Sequence, residues 1–367
     1  MSIKIFDKYL FRQVFAATLV CIFLFIVIWI APETLLKVIK YTIGGLITPK
    51  EGIQLLVFEV PKIIVKALPV GLLLGSLYTF DKLSKDFELT IMRSIGMSFK
   101  RIIAPVVVLS IFLTVICFVM HNTLIPYSET RIARIKHANY ETHFVYNVKA
   151  NKDKLEKILI IPSYHNHQIS SPLVLNFNAN QYTDTSVLNS ILLADYGVYK
   201  DGIWILKNVK KYQLTETGVF ESISKHGSVP VLNGENGETA FKLMNYSIKR
   251  DRELNNAQIT EYITLLKKEN LMDEYRAMLN KYLQRYFHSL ICIIFAVLGC
   301  ILGFSQPREQ RLVGFTIGIA VVFGYYITVP FFDMCAEKGL LSPWITSSIQ
   351  PLAILAAIFV FKKMKDL

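Results

Sequence analysis

Read from the amino terminus, the chain sets long uncharged apolar runs between short charged joints, changes rhythm through its middle third, and then returns to the first pattern. The first run, residues 14–31, holds 18 residues without a charge and follows a leader that carries Lys4, Lys8 and Arg12. As a helix it rises about 27 Å, close to the thickness of a bilayer's hydrocarbon core. Apolar runs of similar length recur at 61–80, where Lys62 and Lys66 are the charged residues, and at 102–120, 286–304, 312–329 and 344–361, so the pattern predicts six spans. A cleaved signal peptide is the rival reading of the first run. Its apolar stretch is longer than a signal core, and Trp29, Pro32 and Glu33 do not make a small-residue cleavage site, which favours an uncleaved span.

From 141 to 250 the apolar runs shorten and alternate with polar residues, the period of half-buried strands. Strands are predicted at 144–148, 158–163, 173–177, 191–199, 203–214 and 219–222, and Asp201-Gly202 between two of them matches a tight hairpin turn. Such a set points to a sandwich, jelly roll or open barrel. An apolar inner face could be plain core or a greasy trough. After it, 256–283 reads as one helix, with Ile259, Ile263, Leu266, Leu271 and Met278 on a single face. The predicted organisation is three spans in 1–136, with a short cytoplasmic helix near 84–96, a β domain in 137–250, a helical connector in 251–282 and three spans in 283–367. The fold class is therefore membrane α-helical, six helices as 3+3, with an inserted all-β jellyroll-like domain.

Composition narrows the function. The 367 residues carry 40 Lys and Arg against 28 Asp and Glu, a net charge of +12, yet 53% are hydrophobic and only 19% charged. An excess of this size could suggest nucleic acid, but here it flanks apolar runs, so no nucleic-acid partner is expected. With the amino terminus inside, the short loops and tails place thirteen Lys and Arg on the cytoplasmic side. The opposite side holds four, Lys37, Lys40, Lys50 and Lys338. Both termini are then cytoplasmic and the β domain lies outside.

Catalytic signatures are missing. There is no Walker A loop, H-E-x-x-H helix or G-x-S-x-G elbow, so any ATP-driven work needs another chain and no cofactor is expected. His165 and His167 read as surface residues, and the scattered cysteines, Cys21, Cys117, Cys292, Cys300 and Cys335, form neither a disulfide framework nor a zinc site. Two small-xxx-small faces, Gly71 with Gly75 and Gly314 with Gly318, permit close helix approach, either within the chain or against a second one.

Several cations sit at the outer ends of spans, against the usual bias: Lys37, Lys40, Lys62, Lys66, Lys281 and Arg285. For Lys62 and Lys66, one turn apart with Glu59 nearby, two readings stand: an ion pair with snorkelling side chains, or a collar for an anionic headgroup. For Arg285 the plain interfacial reading is favoured. In the loop at 86–96, helical spacing places Glu88, Ile91, Met92 and Ile95 on one face that could dock on a soluble motor.

These elements together resemble the paired permease subunits LptF and LptG of the bacterial lipopolysaccharide exporter. The resemblance rests on Phe6-Asp7-Lys8-Tyr9-Leu10 before span one, on Val60-Pro61-Lys62 opening span two with Pro69 further along, on the Glu88-Leu89-Thr90-Ile91-Met92-Arg93-Ser94-Ile95-Gly96 loop, and on the order of three spans, β domain and three spans. It implies an inner-membrane half-permease that pairs with a second chain of the same kind and with a cytoplasmic LptB-type ATPase dimer, which binds the ATP. It further implies motor coupling through Phe87, Glu88, Ile91, Met92 and Arg93, and lateral gates at spans one and five. Lipid phosphates would meet Lys37, Lys40 and Lys62, with Lys66 beside them, and the β domain would pass lipopolysaccharide to an LptC/LptA-type periplasmic bridge. A different class remains open: a mechanotransmitting or signalling membrane protein that docks a motor and moves no lipid. An intramembrane enzyme is less favoured, because no buried acid and base pair marks the spans.

Overall fold

In the computed structural model, residues 5–136, 144–149, 155–165, 168–179, 186–215, 219–304 and 312–365 are described. Helix α1 (Ile5–Trp29) runs into a π-turn at Ile30–Leu35 and resumes as α2 (Leu36–Ile43). Helix α3 (Pro49–Lys85) is 37 residues long. The sequence pattern opened span two at Pro61, but the helix begins twelve residues earlier, where Lys50, Glu51 and Glu59 interrupt the apolar run and hide it from hydropathy. Its start is set by a capping box: Glu51 N–H donates to Thr48 Oγ1, and the Glu51 carboxylate accepts from the Thr48 N–H, with Pro49 in the first turn. After α4 (Glu88–Ser94), α5 (Phe99–Asn122) passes almost directly into α6 (Leu124–Ile135).

The strands are β1 (Phe144–Lys149), β2 (Leu155–Ile161), β3 (Ser163–His165), β4 (Gln168–Ser170), β5 (Leu173–Ala179), β6 (Ser186–Lys200), β7 (Ile203–Leu214) and β8 (Phe220–Leu232). They are followed by α7 (Gly234–Ile248). A 3-10 turn at Asp251–Glu253 leads to α8 (Asn256–Lys268), α9 (Met272–Gly303), α10 (Leu312–Glu337) and α11 (Pro343–Met364). The single helix expected over 256–283 is broken: Asn270 takes a left-handed φ of 59°, which an asparagine tolerates, so α8 stops and α9 starts anew. Lys4, Arg308, Arg311 and His167 lie outside the described residues, as does the side chain of His165.

The chain divides into two compact units, His137–Arg250 and the remainder. In the β unit every pairing is antiparallel, in the order β1-β2-β5-β6-β7-β8, with the β3-β4 hairpin joined to the far end of β6. The six predicted strands are all present, with β8 extended far beyond 219–222. The Asp201-Gly202 turn has φ 53° and 81°, the double positive pair that a tight hairpin requires. The inward face carries Tyr146, Leu159, Val174, Leu192, Trp204 and Leu206, all buried. Helix α7 touches both β1 and β7, strands that lie far apart in sheet order, so the sheet curls nearly closed around it. Trp204 Nε1–H donates to the Gly237 carbonyl (2.9 Å), and Tyr199 stacks on Phe241 with ring centroids 4.0 Å apart. This helix lay within the expected β region; its residues Ala240, Leu243 and Met244 recur at helical spacing inside a short segment.

Among the described residues, six helices of the other unit are long and apolar enough to cross a membrane: α1, α3, α5 with α6, α9, α10 and α11. Helices α3 and α9 form the centre, with 78% and 67% of their most apolar windows buried, whereas α1 and α10 bury 17% each. The faces left bare on α1 and α10 are apolar, as a lipid or a protein neighbour would require. Glycines set the close crossings. A Cβ on Gly75 would lie 2.5 Å from Thr18 Oγ1, and one on Gly299 would lie 2.4 Å from the Leu73 carbonyl oxygen. The pair Gly314 and Gly318 faces Leu302 and Leu77 of the same chain, so this small-residue stripe is spent on internal packing. The chain is thus a membrane helical fold with an antiparallel β domain inserted between its third and fourth spans.

Candidate functional site

All six spans contribute side chains to one cavity of about 420 Å³, at the end of the bundle remote from the chain termini. Two helical stripes make it cationic. Helix α3 brings Lys62 and Lys66 one turn apart, and α9 brings Lys281, Gln284, Arg285 and His288, spaced i, i+3, i+4 and i+7 on one face. Arg252, from the 3-10 turn, adds a further cation. The carboxylates in the lining are Asp251 and Asp333. Trp29, Tyr325, Tyr326, Val329 and Pro330 form the apolar wall contributed by α1 and α10.

Each cation is held differently. Lys62 pairs with Glu59 (2.5 Å) and faces Glu129 at 3.3 Å without hydrogen-bond geometry. Glu129 is buried, so Lys62 is the countercharge of a group taken out of water. Lys281 pairs with Asp333, whose carboxylate also accepts from Asn280 Nδ2 (2.8 Å) and Gln284 Nε2, tying α10 to α9. Arg285 is buried and donates to two neutral acceptors, Asn256 Oδ1 (3.0 Å) and the Asp251 carbonyl (2.7 Å). Lys66 Nζ lies 4.9 Å from the centroid of the Trp29 ring. His288 Nε2 is 3.3 Å from the Val65 carbonyl and its Nδ1 is 3.1 Å from the Tyr325 hydroxyl. In a neutral ring this assigns Nε2 as donor and leaves Nδ1 to accept from the phenol. Tyr326 donates to the Lys66 carbonyl at 2.8 Å.

Of the cations singled out in the sequence, Lys62, Lys66, Lys281 and Arg285 meet in this cavity, while Lys37 and Lys40 stand exposed on α2 and do not line it. Sequence reasoning passed over His121, His288, Tyr325, Tyr326 and Asp333. The polar stripe on α9, repeating every three or four residues within an apolar helix, was the available signal.

The second predicted site, α4, begins at Phe87 in a left-handed conformation (φ 59°). The expected face of Glu88, Ile91, Met92 and Ile95 is split. Met92 packs with Leu89 against the core, and Glu88 accepts from the Tyr9 hydroxyl (3.1 Å). Phe87, Ile91 and Ile95 point outward at 54%, 57% and 73% exposure. They follow the i, i+4, i+8 stripe, and an αα-turn this short must bury one face to be held at all. Arg93 lies 5.4 Å from the Phe304 ring.

A sequence model of the family described as lipopolysaccharide export system permease LptF/LptG matches residues 8–363. Among curated relatives, the lipopolysaccharide export system permease protein LptF of Escherichia coli strain K12 is 27% identical over 112 residues, 30% of this chain and 30% of the relative. The protein of the same name from Shigella flexneri aligns with the same identity and shares. The chain therefore covers less than a third of the length of these relatives.

Proposed function

The chain belongs to the LptF/LptG family of lipopolysaccharide export system permeases, and from that membership we propose that it is one permease half of a lipopolysaccharide exporter. It is a multi-pass membrane protein of a transporter family rather than of an enzyme family. In this reading the lipid enters from the membrane beside α1 and α10, its phosphates meet the cationic cavity, and its acyl chains pass to the β unit and then to an LptC/LptA-type bridge. The observation that carries the reading is the cavity: cations from α3 and α9 gathered beside the two least buried spans, where an anionic headgroup could reach them without leaving the bilayer surface.

Each exposed CH₂ of an acyl chain costs about 0.8 kcal/mol in water, so extraction needs both shelter and an energy source. The energy would come from a separate LptB-type ATPase dimer that binds the ATP and seats against Phe87, Ile91 and Ile95 of α4, with Glu88 and Arg93 at the rim. A second LptF/LptG-type chain would cover the bare faces of α1 and α10. Both termini would be cytoplasmic and the β domain periplasmic.

The test is photocrosslinking from positions 29, 66 and 329, and from β6, to labelled lipopolysaccharide, with the partners co-expressed and ATP present or absent. Crosslinks at the cavity without ATP, moving to β6 with ATP, are expected. Normal surface lipopolysaccharide in cells depleted of this chain would instead favour a motor-docking signalling protein.

A further inference from the structure

Helix α9 is built as a stiff member. Of the six described spans, α3, α5, α10 and α11 carry proline inside the helix, at Pro61 and Pro69, Pro105, Pro330 and Pro351, and α1 gives way to a π-turn. Each such site removes or displaces a ladder hydrogen bond and lets the helix bend there. The 32 residues of α9 contain no proline, and from Lys281 to Leu298 no glycine either. Its first half presents Lys281, Gln284, Arg285 and His288 to the cavity. Phe304 stands at its other end, about 28 Å beyond Arg285 by helical rise.

Phe304 is a junction of four helices. It caps the C-terminus of α9, and its side chain is buried. Its ring is met edge-on by Phe99 of α5, with centroids 5.9 Å apart, and lies 5.4 Å from the Arg93 guanidinium of α4. Its carbonyl and that of Leu302 accept from Lys365 Nζ, just past α11, which satisfies acceptors that a helix C-terminus leaves open. Leu89 and Met92 of α4 pack into the same core as Phe99 and Phe304. Beside this junction the seam between α9 and α3 is smooth. A Cβ on Gly299 or Gly303 would fall 2.4 Å from the carbonyl oxygen of Leu73 or Leu77, so backbone meets backbone there without interlocked side chains. Such a seam suits small sliding of one packed helix along another.

We propose that Phe304 is a positioning residue through which α4 moves α9, and that α9 is the rod carrying this motion to the cations of the cavity. This rests on the motor-seat and headgroup readings above. The outer stripe of α4 faces the motor, and Arg93 reaches from the same short helix to the Phe304 ring. Because the ladder between them is unbroken, a shift imposed at Phe304 arrives at Arg285 and Lys281 rather than being absorbed in a kink. Displacing these two against Lys62 and Lys66 of α3 changes how the cavity holds an anion, and Lys281 draws Asp333 of α10 along with it. The plain alternative is that Phe304 only fills core volume, a task for which leucine is a near substitute.

Coupling between two sites is reciprocal, so the rod is testable from either end. An environment-sensitive fluorescent amino acid is placed at position 284 in the cavity or at the exposed position 90 of α4. The full chain, purified with its partners in phosphatidylcholine nanodiscs, is trapped with ATP and vanadate while the signal at 284 is read. The full chain without the ATPase is titrated with inorganic pyrophosphate while the signal at 90 is read. Both signals shift in the wild type. In Phe304→Leu both shifts fall about fivefold or more while ATP turnover and thermal midpoint hold, and Phe304→Tyr, which keeps the ring, keeps them. A shift that persists in Phe304→Leu, or one lost equally in Phe304→Tyr, overturns the proposal. An ATPase that binds and turns over without any response at 284 removes the rod and leaves the permease reading intact. Failure of an ATPase to co-purify, with pyrophosphate still moving the signal at 90 by way of Phe304, keeps the rod and removes the motor seat. A Phe304-dependent ATP response at 284 without pyrophosphate binding keeps the rod and removes the headgroup reading.

Discussion

Lys62 shows how an ion-pair role and a headgroup role can be told apart by stability. Its ammonium faces two carboxylates whose side chains are 12% and 5% exposed, those of Glu59 and Glu129, while its own side chain is 20% exposed. Replacing it with methionine keeps most of the stem's packing and strands both carboxylates. Removing one partner of a buried pair costs about 3–5 kcal/mol, and partial exposure of Lys62 puts this case near the low end, about 3 kcal/mol. With an unfolding entropy of about 2.1 cal/mol/K per residue, a chain of this length should lose roughly 4 °C in thermal midpoint. The double variant Lys62→Met with Glu129→Gln removes the more deeply buried of the two stranded charges and should regain about half of that loss or more. The assay is residual monodisperse protein after a heating series in detergent. Should Lys62→Met melt with the wild type, and the double variant with it, the compensation argument is wrong and Lys62 is free to serve the headgroup alone.

Other perturbations follow from the same geometry. Gly299→Ala should cost about 1–3 kcal/mol in the same assay, because its Cβ meets the Leu73 carbonyl of α3, whereas Gly324→Ala, with no atom within 4 Å of the new Cβ, should be silent. Ile91→Asp, on the exposed stripe of α4, should leave the thermal midpoint unchanged while reducing co-purified ATPase at least tenfold; full retention of the ATPase would remove α4 as its seat.

The spans were legible because a bilayer demands an uninterrupted apolar run, and the strands because alternation and the Asp201-Gly202 turn both act locally. What escaped was set by contacts between distant segments. The first twelve residues of α3 carry charges that mask a helix, although Thr48, Pro49 and Glu51 spelled out its cap. The break at Asn270 depends on one backbone angle inside an otherwise periodic stretch. Gly299 and Gly303 repeat the spacing of Gly71 and Gly75, yet only the structure shows that this pair, through Leu73 and Leu77, sets the central crossing. The Glu88 face failed for a different reason: periodicity puts Glu88 and Met92 on one stripe and Ile91 and Ile95 on the next, and only packing decides which of the two turns inward.

The cavity raises the same issue in electrostatic form. From sequence, Lys62, Lys66, Lys281 and Arg285 were cations at the outer ends of spans, with a headgroup collar open for Lys62 and Lys66 and the plain interfacial reading favoured for Arg285. In the fold they divide by partner. Lys62 and Lys281 neutralise Glu59, Glu129 and Asp333, and so hold α3 to α6 and α9 to α10. Arg285 donates its hydrogen bonds to neutral acceptors and meets the Asp251 carboxylate only through space, so its charge is cancelled in part and still acts on an anion that enters. A lysine held in an ion pair contributes architecture and an arginine held on neutral acceptors contributes attraction, although composition counts them alike. The residue read as the plainest of the four, Arg285, is therefore one whose replacement by glutamine should weaken anion binding while also loosening the hold of α9 on Asn256 and the Asp251 carbonyl.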